Sequence, residues 1–234
     1  MACSMNPCSD EKIVDSWEKN VSQWSAAVRG GHIESRKLIT DKAIVEAVLT
    51  HSPESVLDIG CGEGWLIREL ASQVTHLVGV DVVPGLIAQA ESAGGGHFLV
   101  ASYEDIAAGA VEGKFDVVVC NFSLLGKEAV ETLFGAVPAS LKPNGVFIVQ
   151  TPHPLVAGDL PYIDGWREGS WAGFGPDFVD PAPWYFRTLE SWVALFSNNG
   201  FRLTEMREPI HPKSHQPASV IFTGAKTAIH ATNE

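Results

Sequence analysis

The stretch VLDIGCGEGWL, residues 56–66, places three glycines at alternate positions directly after a short apolar run. The apolar run is typical of a buried strand, and the residues after the glycines suit the start of a helix. A glycine-rich turn between a strand and a helix allows a ligand to approach the backbone closely. The pattern therefore indicates a site for a nucleotide-like molecule, and the type of that molecule is the first question.

Two common nucleotide fingerprints do not fit this turn. A dinucleotide site needs Gly-x-Gly-x-x-Gly, whose third glycine allows the helix to pack tightly on the strand. Here Gly60 and Gly62 are followed by Trp65 at that third position. A phosphate-binding P-loop is also disfavoured, because no Gly-Lys-Ser/Thr follows. NAD and ATP are therefore poor candidates.

The glycine turn resembles the first motif of the class I S-adenosylmethionine-dependent methyltransferases. A sulfonium cofactor has no phosphates, so its turn needs close backbone approach more than a cluster of anion donors. The resemblance implies S-adenosylmethionine as cofactor. It assigns the methionine and ribose to the turn, and the ribose hydroxyls to an acidic residue about 20 positions further on, at the end of the next strand. The residues so assigned are Asp58, Gly60, Cys61, Gly62, Asp81 and Val82.

The resemblance continues through two later segments. In ASYEDI, residues 101–106, the family usually has an acidic residue and then a small one beside the adenine, but Ser102 and Tyr103 stand here. We expect the Ser102 hydroxyl, the Tyr103 backbone and Glu104 to contact the adenine. In FDVVVCNFSLL, residues 115–125, the resemblance implies that Asn121 and Phe122 lie beside the methyl group and the methionine.

The candidate catalytic and substrate-binding residues lie outside the glycine turn. His153 directly follows the fifth predicted strand, where it would act as general base or substrate orienter, or be a loop histidine bonded to backbone. An aromatic segment after it would supply a flat wall for a planar substrate, or simply pack on the sheet. Before the core, an arginine would bind the cofactor carboxylate, or belong to a solvated helix face. That arginine is Arg36, and the expected substrate-binding residues are Trp24, His32, Ser123, Trp166, Trp171 and Tyr185.

Strands and helices alternate between residues 56 and 151, which predicts an α/β fold with a doubly wound, mostly parallel sheet. The pattern at the end of the chain predicts an antiparallel hairpin. The family resemblance implies seven strands in the order 3-2-1-4-5-7-6. Two helices, predicted over 10–28 and 35–49, precede the core. We expect a helical cap over residues 1–51 and a methyltransferase core over 52–234, with a lid insertion at 152–187 rich in proline, glycine and aromatics.

The composition of the chain narrows the range of partners that we expect. The chain has 234 residues and a formal net charge of -12, which disfavours a nucleic acid as the main partner. Its four cysteines have no zinc-type spacing, and no window approaches a membrane span or contains a signal core. We expect a cytoplasmic monomer or homodimer with reduced thiols, without a bound metal and without membrane contact.

These observations predict methyl transfer from S-adenosylmethionine to nitrogen or oxygen of a small, planar or heteroaromatic molecule. Two alternatives stay open. One is a methyltransferase that acts on a macromolecule such as tRNA or protein, although the chain reads NFSL where many nucleic-acid amino methyltransferases carry Asn/Asp-Pro-Pro-Tyr/Phe. The other is a protein that binds the cofactor without catalysis.

Overall fold

A computed structural model of the chain describes residues 6–157 and 160–227. Within these residues the α-helices are α1 (Asp10–Lys19), α2 (Val21–Arg29), α3 (Asp41–Leu49), α4 (Trp65–Leu70), α5 (Pro84–Ala93), α6 (Tyr103–Ala107), α7 (Glu128–Ser140) and α8 (Leu189–Asn198). The strands are β1 (Ser55–Ile59), β2 (His76–Asp81), β3 (His97–Val100), β4 (Phe115–Asn121), β5 (Leu141–Pro152), β6 (Gly165–Arg167), β7 (Trp184–Phe186), β8 (Phe201–Arg207) and β9 (Ser219–Lys226). None of the helices in the described ranges is long and apolar enough to cross a membrane.

Seven of these strands form one sheet in the order β3-β2-β1-β4-β5-β9-β8. Strands β1 to β5 pair in parallel, whereas β9 runs antiparallel to both β5 and β8. Counted within the sheet alone, this is the predicted order 3-2-1-4-5-7-6. The predicted fold class is confirmed, and the switch point of the sheet lies between β1 and β4.

The central strands are buried on both faces, as their nearly continuous apolar sequence requires. Alternate side chains of β4 enter different clusters. Val117 and Val119 pack with the cluster that includes α3 and α4, and Val118 and Cys120 pack with the cluster that includes α7 and α8. Both layers of helices hold the sheet rigidly, so the carboxyl ends of β1, β2 and β4 keep fixed positions at one edge.

Two predicted helices differ from the observed ones. The single helix predicted over 10–28 is divided into α1 and α2 at Asn20, whose backbone leaves the helical conformation and whose side chain bonds back to the Ser16 carbonyl. The second helix begins with one π-helical turn, Arg36–Thr40, before it continues as α3. Hydrophobic periodicity cannot register such breaks, because the apolar face continues on both sides of each one.

The insertion after β5 has more regular structure than its composition predicts. Strands β6 and β7 pair as a short antiparallel ribbon. The next helix, α8, begins where predicted, since the Thr188 hydroxyl accepts a hydrogen bond from the Ser191 amide.

Candidate active site

The glycine turn between β1 and α4 has a left-handed backbone at each of its three glycines. The φ angles are +75° at Gly60, +57° at Gly62 and +81° at Gly64. At Gly60 a side chain is also excluded by packing, since an added Cβ would lie 2.2 Å from the Cβ of Ser123. Glycine is therefore required at Gly60 for two reasons, and the turn brings the ends of β1 and β4 into direct contact.

Asp81 ends β2 and is bonded to the glycine turn. Its Oδ2 accepts a hydrogen bond from the Gly62 amide and its Oδ1 accepts one from the Val83 amide, both at 2.9 Å. Burial raises the pKa of this carboxyl, and the backbone amides oppose that rise. The residue is thus held at the mouth of the turn, where the remaining lone pairs can accept hydroxyl groups.

Among the buried side-chain atoms without a hydrogen-bond partner in the part of the chain that the structure describes, two oxygens belong to residues that line the same pocket as Asp81. They are Oδ1 of Asp58 and Oδ1 of Asn121. Burial and the nearby Asp81 carboxylate raise the pKa of Asp58 to about 7, while Arg36 opposes the shift. A buried acceptor without a donor is costly in a folded protein, so this pair indicates a ligand with hydrogen-bond donors.

Arg36 lies at the start of the π-helical turn and faces two indoles. Its guanidinium carbon is 4.8 Å from the ring centroid of Trp65 and 5.7 Å from that of Trp24. Its Nε donates to Asp41 Oδ1 at 2.8 Å, which fixes the orientation of the side chain. Trp65, the residue that is incompatible with a dinucleotide turn, supplies the nearer of the two rings.

The segment after β3 forms a short helix that the sequence reading missed. Ser102 and Asp105 make a reciprocal capping box at the start of α6, and the Ser-x-x-Asp spacing was the available signal. The Ser102 hydroxyl accepts from the Asp105 amide, so the cap uses this oxygen as an acceptor. The Tyr103 side chain is half-buried, and its hydroxyl donates to the Ser123 carbonyl at 3.0 Å.

The loop after β4 is held by hydrogen bonds that it donates to both neighbouring strands. Phe122 has a φ of +56°, which is uncommon for a non-glycine residue, and its amide donates to the Gln150 carbonyl at 2.8 Å. The Ser123 hydroxyl donates to the Ile59 carbonyl at 2.7 Å. Strained conformations of this kind persist only where the surroundings impose them, and they are common at functional sites.

The N-terminal helices and the insertion meet above these loops. The Asn20 side chain makes a reciprocal pair with the Val179 backbone, donating to its carbonyl at 2.8 Å and accepting from its amide at 2.9 Å. Asp180 forms ion pairs with Lys12 and Lys19 of α1. We call α1, α2 and residues 168–182 of the insertion the composite lid.

Aromatic side chains line the inner side of the composite lid. The Trp17 ring centroid lies 4.9 Å from that of Trp24 and 5.4 Å from that of Trp171. Phe174 packs 5.4 Å from Trp171 and 6.2 Å from Trp24. We call Trp17, Trp24, Trp171 and Phe174 the aromatic box. Trp17 was not among the expected site residues, although its seven-residue spacing puts it on the same side as Trp24 in the single helix predicted over 10–28.

A cavity of about 710 Å³ lies between the composite lid and the carboxyl edge of the sheet. This volume is in the range of small-molecule sites. The lining includes all the expected cofactor residues: Arg36, Asp58, Gly60, Cys61, Gly62, Asp81, Val82, Ser102, Tyr103, Glu104, Asn121 and Phe122. Of the expected substrate residues, Trp24, Ser123 and Trp171 line it.

Four expected site residues do not line the cavity. His153 is buried, its Nε2 lies 2.9 Å from Glu208 Oε1, and its Nδ1 accepts from the Leu155 amide. Trp166 and Tyr185 face each other across the ribbon of β6 and β7, with ring centroids 5.7 Å apart. His32 is exposed beside α2. The structure therefore does not bring these four side chains into the cavity. Their positions in the sequence did not specify which way the side chains point.

The comparisons with known proteins agree with this fold. The model of a methyltransferase domain matches residues 15–206, which is most of the chain. The chain belongs to this methyltransferase domain family. Its fold is that of the class I S-adenosylmethionine-dependent methyltransferases.

A curated relative and two solved structures illustrate the similarity. An uncharacterised methyltransferase of Schizosaccharomyces pombe is 25% identical over 170 residues, with 69% of this chain and 64% of that protein covered. Magnesium protoporphyrin IX methyltransferase of Synechocystis, solved with S-adenosylhomocysteine, has a TM-score of 0.64 at 15% identity and covers 93% of this chain and 100% of its own. The 1,6-didemethyltoxoflavin-N1-methyltransferase of Burkholderia thailandensis has a TM-score of 0.60 at 18% identity, covering 93% and 87%.

The chain spans 64% of the length of the Schizosaccharomyces pombe protein. It spans 52% of the length of a second curated relative, a cyclopropane-fatty-acyl-phospholipid synthase of Escherichia coli. The structural similarities, at less than 25% identity, concern the fold. The substrate must therefore be argued from the cavity itself.

Proposed function

We propose that the methyltransferase transfers a methyl group from S-adenosylmethionine to nitrogen or oxygen of a small planar molecule enclosed under the composite lid. The observation that carries the proposal is that α1 and the insertion together cover part of the cavity. Asn20 and Asp180 connect these two parts directly. A macromolecule would need an open face at this edge of the sheet.

The lower part of the cavity suits the cofactor. The open left-handed turn at Gly60 and Gly62 would accept the methionine and ribose, and Asp81 would accept hydrogen bonds from the ribose hydroxyls. The unpartnered Oδ1 atoms of Asp58 and Asn121 fit the cofactor's ammonium group. These features rest on the chemistry of the residues and do not depend on the identity of the substrate.

Arg36 and the residues after β3 would hold the two ends of the cofactor. The hydrogen bond to Asp41 uses only Nε of Arg36, which leaves the terminal nitrogens of the guanidinium to bind the cofactor carboxylate. Glu104 and the Tyr103 backbone lie at the cavity wall where the adenine would be. Because the Tyr103 side chain is bonded to the Ser123 carbonyl, its main contribution is to hold the adenine and methyl sides at a fixed separation.

When bound, S-adenosylmethionine supplies an electrophilic methyl group on a sulfonium. The methyltransferase has to align the substrate atom with that methyl group and exclude water. The β4 loop at Phe122 would set the alignment, since its strained backbone is fixed from both neighbouring strands. The composite lid would exclude water with the aromatic box, which also offers flat surfaces to a planar ring.

The didemethyltoxoflavin enzyme was solved with 1,6-didemethyltoxoflavin bound, so this fold is compatible with a small substrate. The test is a transfer assay with methyl-labelled cofactor against two pools, heteroaromatic and phenolic compounds in one, tRNA and protein in the other. We expect label in the first pool only. Label in tRNA or protein would support the alternative of a macromolecular substrate, and cofactor binding without transfer to either pool would favour a non-catalytic binder.

A further inference from the structure

The charges around the cavity are strongly unbalanced. Six of the side chains that line it carry a carboxyl group, namely Asp10, Glu11, Asp58, Glu63, Asp81 and Glu104. Across the described ranges the lining has one cationic side chain, Arg36, and no lysine or histidine. A bound anion needs opposing charge or hydrogen-bond donors in a site shielded from water.

The one lining cation has other contacts. Arg36 is bonded to Asp41 through Nε and lies over Trp65, on the side of the cavity that we assign to the cofactor carboxylate. The lining acid Glu63 is likewise committed, since Arg29 and Arg68 both bond to its carboxylate. Once these pairs and the acids that we assign to the cofactor are set aside, Asp10 and Glu11 remain, and both are acidic.

The two arginines of the insertion do not change this balance. Arg167 donates to the carbonyls of Pro161 and Ile163. Arg187 is buried and donates to the carbonyl of Gly126 at 2.8 Å. Neither lines the cavity, so neither is placed to pair with an acidic substrate group.

The substrate side of the cavity combines two carboxylates with the aromatic box. Asp10 and Glu11 are the first two residues of α1 and precede Trp17 by about two helical turns. Both Asp10 oxygens accept backbone amides at the start of α7, from Lys127 and Ala129 at 2.8 Å each, which fixes this carboxylate in place. Aromatic faces and carboxylates are the two groups that proteins use to bind organic cations.

From this arrangement we infer that the substrate is a planar molecule without an anionic group, and that a basic amine on it improves binding. The inference rests on the proposed function, since it concerns the same cavity. It specifies the charge class of the substrate, which neither the fold nor the glycine turn determines. A carboxylate or phosphate on the same planar ring would face the acidic side of the cavity without a partner.

The test uses matched triplets of planar probes, each ring carrying an aminoethyl, a hydroxyethyl or a carboxyethyl chain. Tryptamine, tryptophol and indole-3-propionate form one triplet, and phenyl and naphthyl equivalents form two more. Binding to the full chain is measured by calorimetry with S-adenosylhomocysteine at saturation. We expect the amine to bind about tenfold more tightly than the carboxylate, as cation–π and charge contacts of this size predict.

A charge variant with a matched control connects this preference to the cavity. Glu11 and Glu18 are both exposed on α1, and of the two only Glu11 lines the cavity. We expect Glu11→Gln to reduce the ratio of amine to carboxylate affinity two- to fivefold and Glu18→Gln to leave it unchanged. Trp171→Leu should weaken amine binding, and Trp171→Phe should recover part of it.

Three results would overturn the inference: equal or tighter binding of the carboxylates, binding of no probe, or equal effects of the two glutamate variants. The proposed function fails separately. If S-adenosylhomocysteine itself does not bind in the same calorimetric cell, the cofactor assignment is wrong. If it binds and the charge preference is absent, only the inference about the substrate is wrong.

Discussion

Asp58 and Asp81 illustrate how single residues set the chemistry of this site. Both are buried at the carboxyl ends of neighbouring strands, and both have raised pKa values because burial penalises their charged forms. Asp81 has two backbone amide donors, whereas Oδ1 of Asp58 has no partner among the described residues. We therefore predict an effect on ligand binding for Asp81 and an effect on the pH dependence of stability for Asp58.

For Asp81 we predict that Asp81→Ala weakens binding of S-adenosylhomocysteine at least about tenfold. The variant loses charge-assisted hydrogen bonds to the ribose and the acceptor for the Gly62 amide. Isothermal calorimetry measures the effect, and Glu91→Ala, at an exposed position of α5, is the control. Affinity equal to the wild type would remove Asp81 from the ribose site.

For Asp58 we predict an effect on the pH dependence of stability without ligand. Its pKa is about 7 in the folded protein and near its ordinary value of 3.8 when unfolded, so the folded state binds more protons between these values. Asp58 therefore stabilises the fold below pH 4, and this contribution is lost as the pH rises through 7. It is on the order of 4 kcal/mol at most.

The measurement for Asp58 is the free energy of unfolding by urea at pH 5 and pH 8. Wild type should lose more stability over this interval than Asp58→Asn. Some loss should persist in the variant, because burial also raises the pKa values of Asp41 and Asp81. An identical pH dependence in both proteins would mean that the pKa of Asp58 in the folded protein is not raised.

For the glycine turn we predict that Gly60→Ala destabilises the fold more than Gly109→Ala. Both glycines have left-handed backbones, with φ of +75° and +94°. A Cβ at Gly60 would collide with Ser123, whereas a Cβ at Gly109 meets nothing within 4 Å. The difference in unfolding free energy isolates the contact between β1 and β4, and we expect about 1–3 kcal/mol. Equal losses would show that the contact relaxes without cost.

At the level of secondary structure elements, the break between α1 and α2 has a structural purpose. Asn20 ends α1 by bonding to the Ser16 carbonyl, and the same side chain binds the Val179 backbone of the insertion. Surface ion pairs such as Lys19 with Asp180 contribute little by themselves, whereas a buried amide with three bonds contributes more. The helix break thus supplies the main polar link within the composite lid.

We predict that Asn20→Ala loosens the insertion more than it destabilises the whole fold. Hydrogen exchange of the Val179 amide should accelerate at least about tenfold, because its acceptor is lost. Asn199→Ala is the matched control. Asn199 also follows a helix and donates to a carbonyl of that helix, that of Leu195, but it does not contact the insertion. Equal exchange at Val179 in both variants would contradict the link.

For the whole molecule, the cavity lies between the sheet and the composite lid, so ligand binding should couple the two. S-adenosylhomocysteine at about 100 times its Kd should add about 2.7 kcal/mol to the unfolding free energy. For a chain of 234 residues this is a rise in Tm of roughly 5–10 °C. A thermal shift measures it, with Asp81→Ala as the control that should show little rise.

The same binding should protect both parts of the composite lid from proteolysis together, although they are far apart in the chain. Protection of α1 without the insertion, or the reverse, would show that they move separately. This experiment tests the composite lid with S-adenosylhomocysteine alone and requires no substrate.

The sequence by itself predicted the doubly wound sheet, and the family resemblance implied the strand order and the residues assigned to the cofactor. Alternating strands and helices specify a doubly wound sheet, and such a sheet has one edge at which its carboxyl ends meet. Gly60, Asp81 and Asn121 follow directly from that rule, because each belongs to a strand end. These features depend on contacts near in sequence or on backbone geometry, which local patterns record.

Only the tertiary structure decided which side chains line the cavity. The sequence placed His153 at a strand end, but the fold turns it toward Glu208 and away from the cavity. Conversely, Asp10 and Trp17 line the cavity because the insertion, about 160 residues later, holds α1 over the sheet. Such contacts depend on side-chain direction and on packing between distant segments, and neither has a local sequence pattern.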